Sequence, residues 1–559
     1  LQFIFGNSGG GKSYCLYKTV IEDSLRHPER NYLVLVPEQF TMQTQKDLCM
    51  MHPRGGIMNI DVLSFGRLAH RIFEEVGRDN LPVLDDEGKN LVLRKIAGNF
   101  EEELTVLKGN LKKQGYISEI KSVLSEFTQY GVDLDRIDTF MDGLEQESYL
   151  YYKLKDIRRL YEGFEDYLRE KYITKEEMLD VLSSVVPQSK ILKDSVVAMD
   201  GFTGFTPVQD RLLGELFKAC AKVMITVEMD QRVDPFIYRH PYELFALSRQ
   251  MVTSLVKIAG ETGTQVDEPV YLYDSPPYRF RENPELAFLE SELFRYSGKQ
   301  FGTDSGEAAE EKKASAGEEG ALSLHEARSP RQEAQYVAET IRYLVRKKGY
   351  RYRDIAVIAA DMNVYADALE KACGTFGIPV FMDHKKSILL NSFVEYVRSL
   401  LAMAEQNFTY ESVFRLENYC LALGIKGYKK WQAAWVRRNA RTSGEELQEL
   451  NHLRVQFVEK TSALMAVLKQ RKKTVRDVTL AVYEYIAGEQ LQEQLARMEQ
   501  KFQAQGELAL AKEYAQVYRI VLELFDKFVE LLGDEPVSLK EYCDLLDAGF
   551  EEAKVGVIP

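Results

Sequence analysis

Hydrophobic positions along the chain fall into two alternating kinds of run. Gln2-Phe3-Ile4-Phe5 is a short apolar strand signal, and the stretch 14–25 that follows carries Cys15, Leu16, Val20 and Ile21 as a stripe at helical spacing. Asn31-Tyr32-Leu33-Val34-Leu35-Val36 is a continuous apolar run ended by Pro37, the pattern of a parallel strand covered on both faces. Residues 39–51 then read as helix, residues 56–63 as a third strand, and Ser64 opens another helix. The same alternation resumes with the strand Ser195-Val196-Val197-Ala198-Met199-Asp200, a helix over 207–221 and a strand over 222–227. Strands alternating with helices predict an α/β fold with a right-handed parallel sheet.

Two long stretches keep the 3.6-residue period instead. Residues 85–189 read as a helical insertion, so the first sheet domain comprises residues 1–84 and 190–300. Residues 301–320 hold "TDSGEAAEEKKASAGEEG", rich in small and acidic residues, and read as a disordered acidic linker. Beyond it, residues 321–388 give strand, helix, strand, helix, strand, the start of a second sheet domain. Residues 389–550 are helical again, and residues 551–559 return towards the second sheet, with Val555–Pro559 reading as a strand being entered. Several domains are expected in any case, since 559 residues exceed the ~250–300 at which single cores stop growing.

Composition narrows the partners. The net charge is −14, from 72 basic and 86 acidic residues, so any nucleic-acid contact must be local rather than a coat of positive charge. No apolar run approaches the ~18 residues of a membrane span, and no signal peptide precedes the first strand, which points to a cytoplasmic protein without a membrane partner. Six cysteines (Cys15, Cys49, Cys220, Cys373, Cys420, Cys543) show no C-x-x-C spacing, and the seven histidines form no H-E-x-x-H.

The chemistry concentrates in Gly6-Asn7-Ser8-Gly9-Gly10-Gly11-Lys12-Ser13, which fits the phosphate-cradling pattern G-x-x-x-x-G-K-[ST]. Its strand-loop-helix context is the one in which backbone N–H groups and a helix N-terminus face a polyphosphate. Lys12 is then expected at the outer phosphates of ATP and Ser13 at a magnesium ion, with Asp200, the acid ending the strand 195–200, as the second metal-side group. Superfamily 1 helicases carry D-E-x-Q here, with Glu polarising the attacking water. This chain reads Asp200-Gly201-Phe202-Thr203, so the general base is replaced by a residue with no side chain. Loss of a base costs of order 10²–10⁴ in rate, enough to turn a motor into a nucleotide holder. Glu228, Asp230 and Gln231 lie where helicases carry a coupling motif and are the candidates to substitute.

"GNSGGGKS", "LVLVPEQFTMQTQ", "VLSFGRLAHRIF" and "MDGFTGFTPVQ" together resemble the N-terminal half of the B subunit of the AddAB (RexAB) ATP-dependent helicase–nuclease, a bacterial machine that processes double-strand DNA breaks. The resemblance runs through the whole chain. It implies two RecA-like P-loop NTPase domains of superfamily 1 helicase type, each with a large helical insertion. It also implies a decayed motor, a heterodimer with an A-type helicase–nuclease subunit, and single-stranded and duplex-end DNA as ligands. A C-terminal nuclease domain with a four-cysteine iron–sulfur cluster belongs to the family and lies outside this chain, so the six cysteines here should be plain thiols. Active relatives follow the second-domain strand with an arginine that meets the terminal phosphate. After Asp354-Ile355-Ala356-Val357, this chain has Ala359-Ala360-Asp361 instead.

In helicases the loops after the second and third strands touch single-stranded DNA through polar groups and stacking aromatics. Gln39 and Thr41 occupy the first such loop, Phe65, Arg67 and His70 the second, and Phe202 and Phe205 follow the acidic strand. The structural alternative makes the three phenylalanines core and Gln39 a helix cap. In the resembling family this half scans for a recombination signal, Chi, and these residue types suit base readout. The basic stretch 426–441, with Trp431 and Trp435 one turn apart, is either a packing stripe or a DNA or partner face. Two functions remain open: a DNA-end-processing subunit with a silent motor, or an active ATP-dependent superfamily 1 helicase.

Overall fold

The structure is a computed structural model that describes residues 1–77, 82–110, 115–146, 148–169, 171–301, 320–382, 386–422 and 444–556. The chain divides into two compact units. The first holds Leu1–Leu84, Val123–Thr139 and Leu168–His325, and the second Asp85–Ser122, Phe140–Tyr167 and Glu326–Pro559.

Among the described residues, six strands build the main sheet of the first unit: β1 (Gln2–Gly6), β2 (Tyr32–Leu35), β3 (Ile60–Leu63), then, after a separate two-stranded parallel ladder of β4 (Val83–Leu84) with β5 (Ile173–Thr174), β6 (Val196–Met199), β7 (Lys222–Glu228) and β8 (Val270–Leu272). Their order is β3-β2-β6-β7-β1-β8, and every pairing is parallel. Helices cover both faces, which is why the strand interiors are mostly apolar and not alternately polar. One face presents Ile4, Tyr32, Val34, Val196, Ala198 and Met224 to Leu16, Tyr17, Val20 and Ile21 of helix α1 (Lys12–Arg26) and Leu48 of α2 (Thr41–Met51). The other presents Phe3, Phe5, Leu33, Leu35, Val197, Met199 and Ile225 to α3 (Phe65–Val76) and to the helices Pro207–Ala219 and Ala246–Thr262. Each such fully buried side chain contributes ~1.5–3 kcal/mol relative to exposure.

Local signals set the element ends. Ser64 caps α3, its Oγ accepting from Arg67 N at 3.4 Å, and Gly77 closes it at φ 64°. Thr206 and Gln209 form a reciprocal capping box before Pro207, and that helix stops at Ala219, two residues short of the expected end. The alternation read from the sequence for residues 2–63 and 195–228 is therefore present, with β8 as an additional edge strand.

The second unit is helical. Its core gathers Leu91 from the helix Asp86–Asn99 with residues of Ser392–Glu405, Val475–Gly488, Leu508–Leu532 and Leu539–Glu552. Ion pairs tie the same elements: Lys527 Nζ donates to Asp85 at 2.6 Å and to Glu87, and Lys95 lies 3.6 Å from Glu541. The stretch 85–189 expected as one insertion is thus divided, residues 85–122 and 140–167 grouping with the helical unit.

The second sheet expected over 321–388 is not formed in the described residues 320–382. Two helices appear, Pro330–Lys348 and Met362–Phe376, packed through Ala338, Ile341 and Cys373, but the apolar runs around them are not strands. Ile358 is 95% exposed, as a strand sequence is when no neighbour completes its ladder. The only pairing nearby in the described residues is Lys386–Ser387 with Lys554–Val555, antiparallel. Most of the linker 301–320, the basic stretch 426–441 and residues 557–559 lie outside the described residues.

Candidate functional site

Strand β1 delivers the glycine loop to the carboxyl edge of the sheet, where ligands of open parallel sheets bind. Gly9 (φ 74°) and Gly11 (φ 91°) hold left-handed backbone that a side chain would strain. A Cβ on Gly6 would stand 2.8 Å from the Leu272 carbonyl oxygen of β8, so that position also requires glycine. Helix α1 starts at Lys12, with Gly11 in the capping position, no side-chain cap and no acidic residue in the first turn. Its first N–H groups and positive dipole end are accordingly free to meet an anion.

Lys12 is mostly buried. Its Nζ donates to the Asn7 carbonyl oxygen at 2.8 Å and lies 3.9 Å from the Glu228 carboxylate. Burial pushes the ammonium below its ordinary pKa, and Glu228 and Asp200 oppose that shift. A lysine desolvated in this way gains from a further anion. Ser13, one residue on, is exposed at the same helix end. The residues present therefore suit a polyphosphate.

The segment after β8 bears on the loop, and no sequence motif marked it. The Arg279 N–H donates to the Gly9 carbonyl oxygen at 3.2 Å, and Asn7 Nδ2 donates to Glu290 at 3.3 Å. Beside Asn7 opens a cavity of about 480 Å³ whose lining includes Asp230, Arg232, Tyr273, Phe280 and Arg295.

Asp200 stands where the sequence puts a metal-side acid, directly after β6, and is 8% exposed. Both carboxylate oxygens accept hydroxyl donors: Tyr17 at 2.7 Å on Oδ2 and Thr226 at 2.5 Å on Oδ1. Burial, then the charge of Asp200, raises the Tyr17 phenol well above its ordinary pKa, so it stays a donor. Gly201 follows at φ 77°, a left-handed conformation. Of the acids weighed as substitutes for the missing base, Asp230 is engaged elsewhere. Burial would raise its pKa, but hydrogen bonds from Arg232 and Arg295 hold it at about 2. Glu228 and Gln231 are exposed.

The other candidates converge on the same sheet edge because β3, β2 and β6 are neighbours. Phe65, Phe202 and Phe205 form one aromatic cluster, with ring centroids 5.5 Å apart for Phe65 and Phe202 and 5.3 Å for Phe202 and Phe205. Phe65 is buried in the core, while Phe202 and Phe205 are half-buried. Arg67 and His70 are exposed on α3. Gln39 is exposed and is not a cap, since Phe40 precedes α2 and makes no side-chain capping bond. Thr41 is 3% exposed, and its hydroxyl donates back to the Glu38 carbonyl oxygen at 3.0 Å, so its side chain serves the turn.

Fold and site together define a parallel α/β unit with a glycine-rich strand-loop-helix at its carboxyl edge, continuous in one chain with a helical unit. A family model described as "ADDB, N-terminal" matches residues 3–290, and the chain belongs to that family. Similar curated proteins are each named as the B subunit of an ATP-dependent helicase/deoxyribonuclease, and one from Lachnoclostridium phytofermentans is 39% identical over 100% of this chain and 49% of its own length. One from Caldanaerobacter subterraneus is 32% identical, and one from Acetivibrio thermocellus 30%, with the same coverage. The chain spans about half the length of the curated relatives it matches. Among the described residues no helix is long and apolar enough to cross a membrane.

Proposed function

We propose that this chain is the helicase-like part of the B subunit of an ATP-dependent helicase–deoxyribonuclease, binding nucleotide at Gly6–Ser13 and hydrolysing it weakly or not at all. Lys12 and the N–H groups of the glycine loop hold the phosphates, and Ser13 and Asp200 face the magnesium ion. A magnesium ion held by Ser13 and Asp200 would supply positive charge against the phosphates. The observation that carries the reading of a silent motor is Gly201. It occupies the place of the general base, and its φ of 77° disfavours any side chain there.

In this reading the first unit guides single-stranded DNA across the edge formed by Gln39, Arg67, His70, Phe202 and Phe205, with the buried Phe65 packed behind those two rings, and reads a Chi-type signal there. An A-type partner subunit drives unwinding, and the protein acts in the cytoplasm on duplex ends during recombinational repair. The names of the relatives support the helicase–nuclease assignment. A second reading, an active superfamily 1 helicase, draws support from Glu228, an exposed carboxylate 3.9 Å from Lys12. A DNA-stimulated ATPase assay separates them. The expected result is saturable binding of a fluorescent ATP analogue without DNA-stimulated turnover, and robust stimulated hydrolysis by the chain alone refutes the silent-motor reading.

A further inference from the structure

Three segments of the first unit meet at one hydroxyl. Tyr17 lies on α1, four residues beyond Ser13 at the glycine-loop end of that helix, and is 7% exposed. Its oxygen donates to Asp200 Oδ2 at 2.7 Å and lies 3.3 Å from Thr44 Oγ1. Asp200 begins the turn that runs through Gly201 to Phe202 and Phe205, and Thr226 on β7 fixes its other oxygen at 2.5 Å. Thr44 lies on α2, one turn past Thr41 and the loop that carries Gln39, and is 4% exposed. The two loops are also close, since a Cβ on Gly201 would stand 3.6 Å from Pro37 Cδ and 3.9 Å from Phe40 Cδ2.

This arrangement is directional. Phosphate bound at the N-terminus of α1 would act on a close-packed helix, and a buried hydroxyl one turn inside that helix is placed to carry any shift to the groups it bonds. Here it bonds the acid that begins one loop of the proposed DNA-facing edge and a threonine on the helix that follows the other. Burial of all four side chains keeps water from substituting for a broken link.

We propose that Tyr17 is a positioning residue that couples nucleotide occupancy of the glycine loop to the geometry of the loops 37–41 and 200–205, so that nucleotide and single-stranded DNA alter each other's affinity. This rests on the function proposed above. Coupling through such a junction is reciprocal and typically 5- to 150-fold.

The test uses the 559-residue chain, a non-hydrolysable fluorescent ATP analogue with magnesium, and a fluorescein-labelled single-stranded oligonucleotide, each titrated with and without the other. Wild type should bind both and show a mutual effect of about fivefold or more. Tyr17→Phe, which keeps the ring and removes the hydroxyl, should bind each ligand alone within about threefold of wild type and reduce the mutual effect below about twofold. Thr44→Val cuts only the α2 arm and should weaken the mutual effect by at least about half; it decides the matter if a thermal melt shows Tyr17→Phe unfolded. Retention of the full mutual effect in the folded variants overturns the proposal, as does a wild type that binds both ligands independently. Absence of either single-ligand isotherm in wild type overturns the proposed function itself, and the coupling with it.

Discussion

Gly201 offers a measurement that separates a missing catalytic group from a forbidden one. Its φ of 77° lies in the left-handed region, where a Cβ crowds the following carbonyl at a cost of ~1–2 kcal/mol for most residues. The surrounding space adds nothing to that figure, because the nearest atoms to a built Cβ are Pro37 Cδ at 3.6 Å and Phe40 Cδ2 at 3.9 Å, ordinary contacts. The cost should therefore depend on the backbone alone. Gly201→Ala and Gly201→Glu are each expected to lose about 1–2 kcal/mol, a lowering of roughly 2–8 °C in the melting of a unit of this size. Gly201→Asn should lose less, since asparagine tolerates left-handed backbone. The assay is thermal or urea unfolding of the three variants beside wild type, with ATP hydrolysis measured on the same samples. Gly201→Glu should gain no DNA-stimulated turnover, because it restores only one of several missing parts, Ala359-Ala360-Asp361 still standing where active relatives carry the arginine for the terminal phosphate. Two outcomes refute the reasoning: a glutamate variant as stable as wild type, or one that hydrolyses ATP when DNA is added.

The remaining expectations follow from single contacts. Lys12→Ala should weaken nucleotide binding about a hundredfold, the loss of ~3 kcal/mol of charge-assisted hydrogen bonding, with little change in melting; equal affinity in a fluorescent-nucleotide titration would sink the assignment of Lys12. Asp230 has its pKa depressed from 3.8 to about 2, so its contribution of about 2 kcal/mol is present above pH ~4 and lost as pH falls towards 2. Asp230→Asn should therefore flatten the stability profile between pH 4 and pH 2, and an unchanged slope there contradicts the assigned pairing with Arg232 and Arg295. In the complex with the partner subunit and the nuclease half, Arg67→Ala or Gln39→Ala should leave unwinding largely intact but cost ~1–3 kcal/mol of discrimination for the signal. Degradation assays on templates with and without Chi test this, and normal arrest by both variants would remove these loops from the reading surface.

What the sequence determined by itself is local in origin. The glycine loop was legible because a left-handed backbone demands glycines at fixed offsets, and Gly9 and Gly11 satisfy that with φ of 74° and 91°. Strands β1, β2 and β6 were legible because a parallel strand covered on both faces must be apolar at every position. Ser64 announced α3 because an uncapped helix start leaves N–H groups unpaired. Tertiary structure decided the rest, by pairing residues that no spacing rule connects. Tyr17 and Asp200 are 183 residues apart, and neither one's neighbours in sequence betray the bond. Thr41 looked like a DNA contact by residue type, yet its hydroxyl is turned into its own turn. The apolar stretch around Ile358 has the composition of a strand but remains unpaired, because a strand is completed only by a neighbouring backbone. Helical periodicity over 85–189 could not say which partner would bury each stripe, and the chain divides there between two units. Periodicity reports that a face will be buried, while the identity of the burying surface is settled only when distant segments compete to cover it.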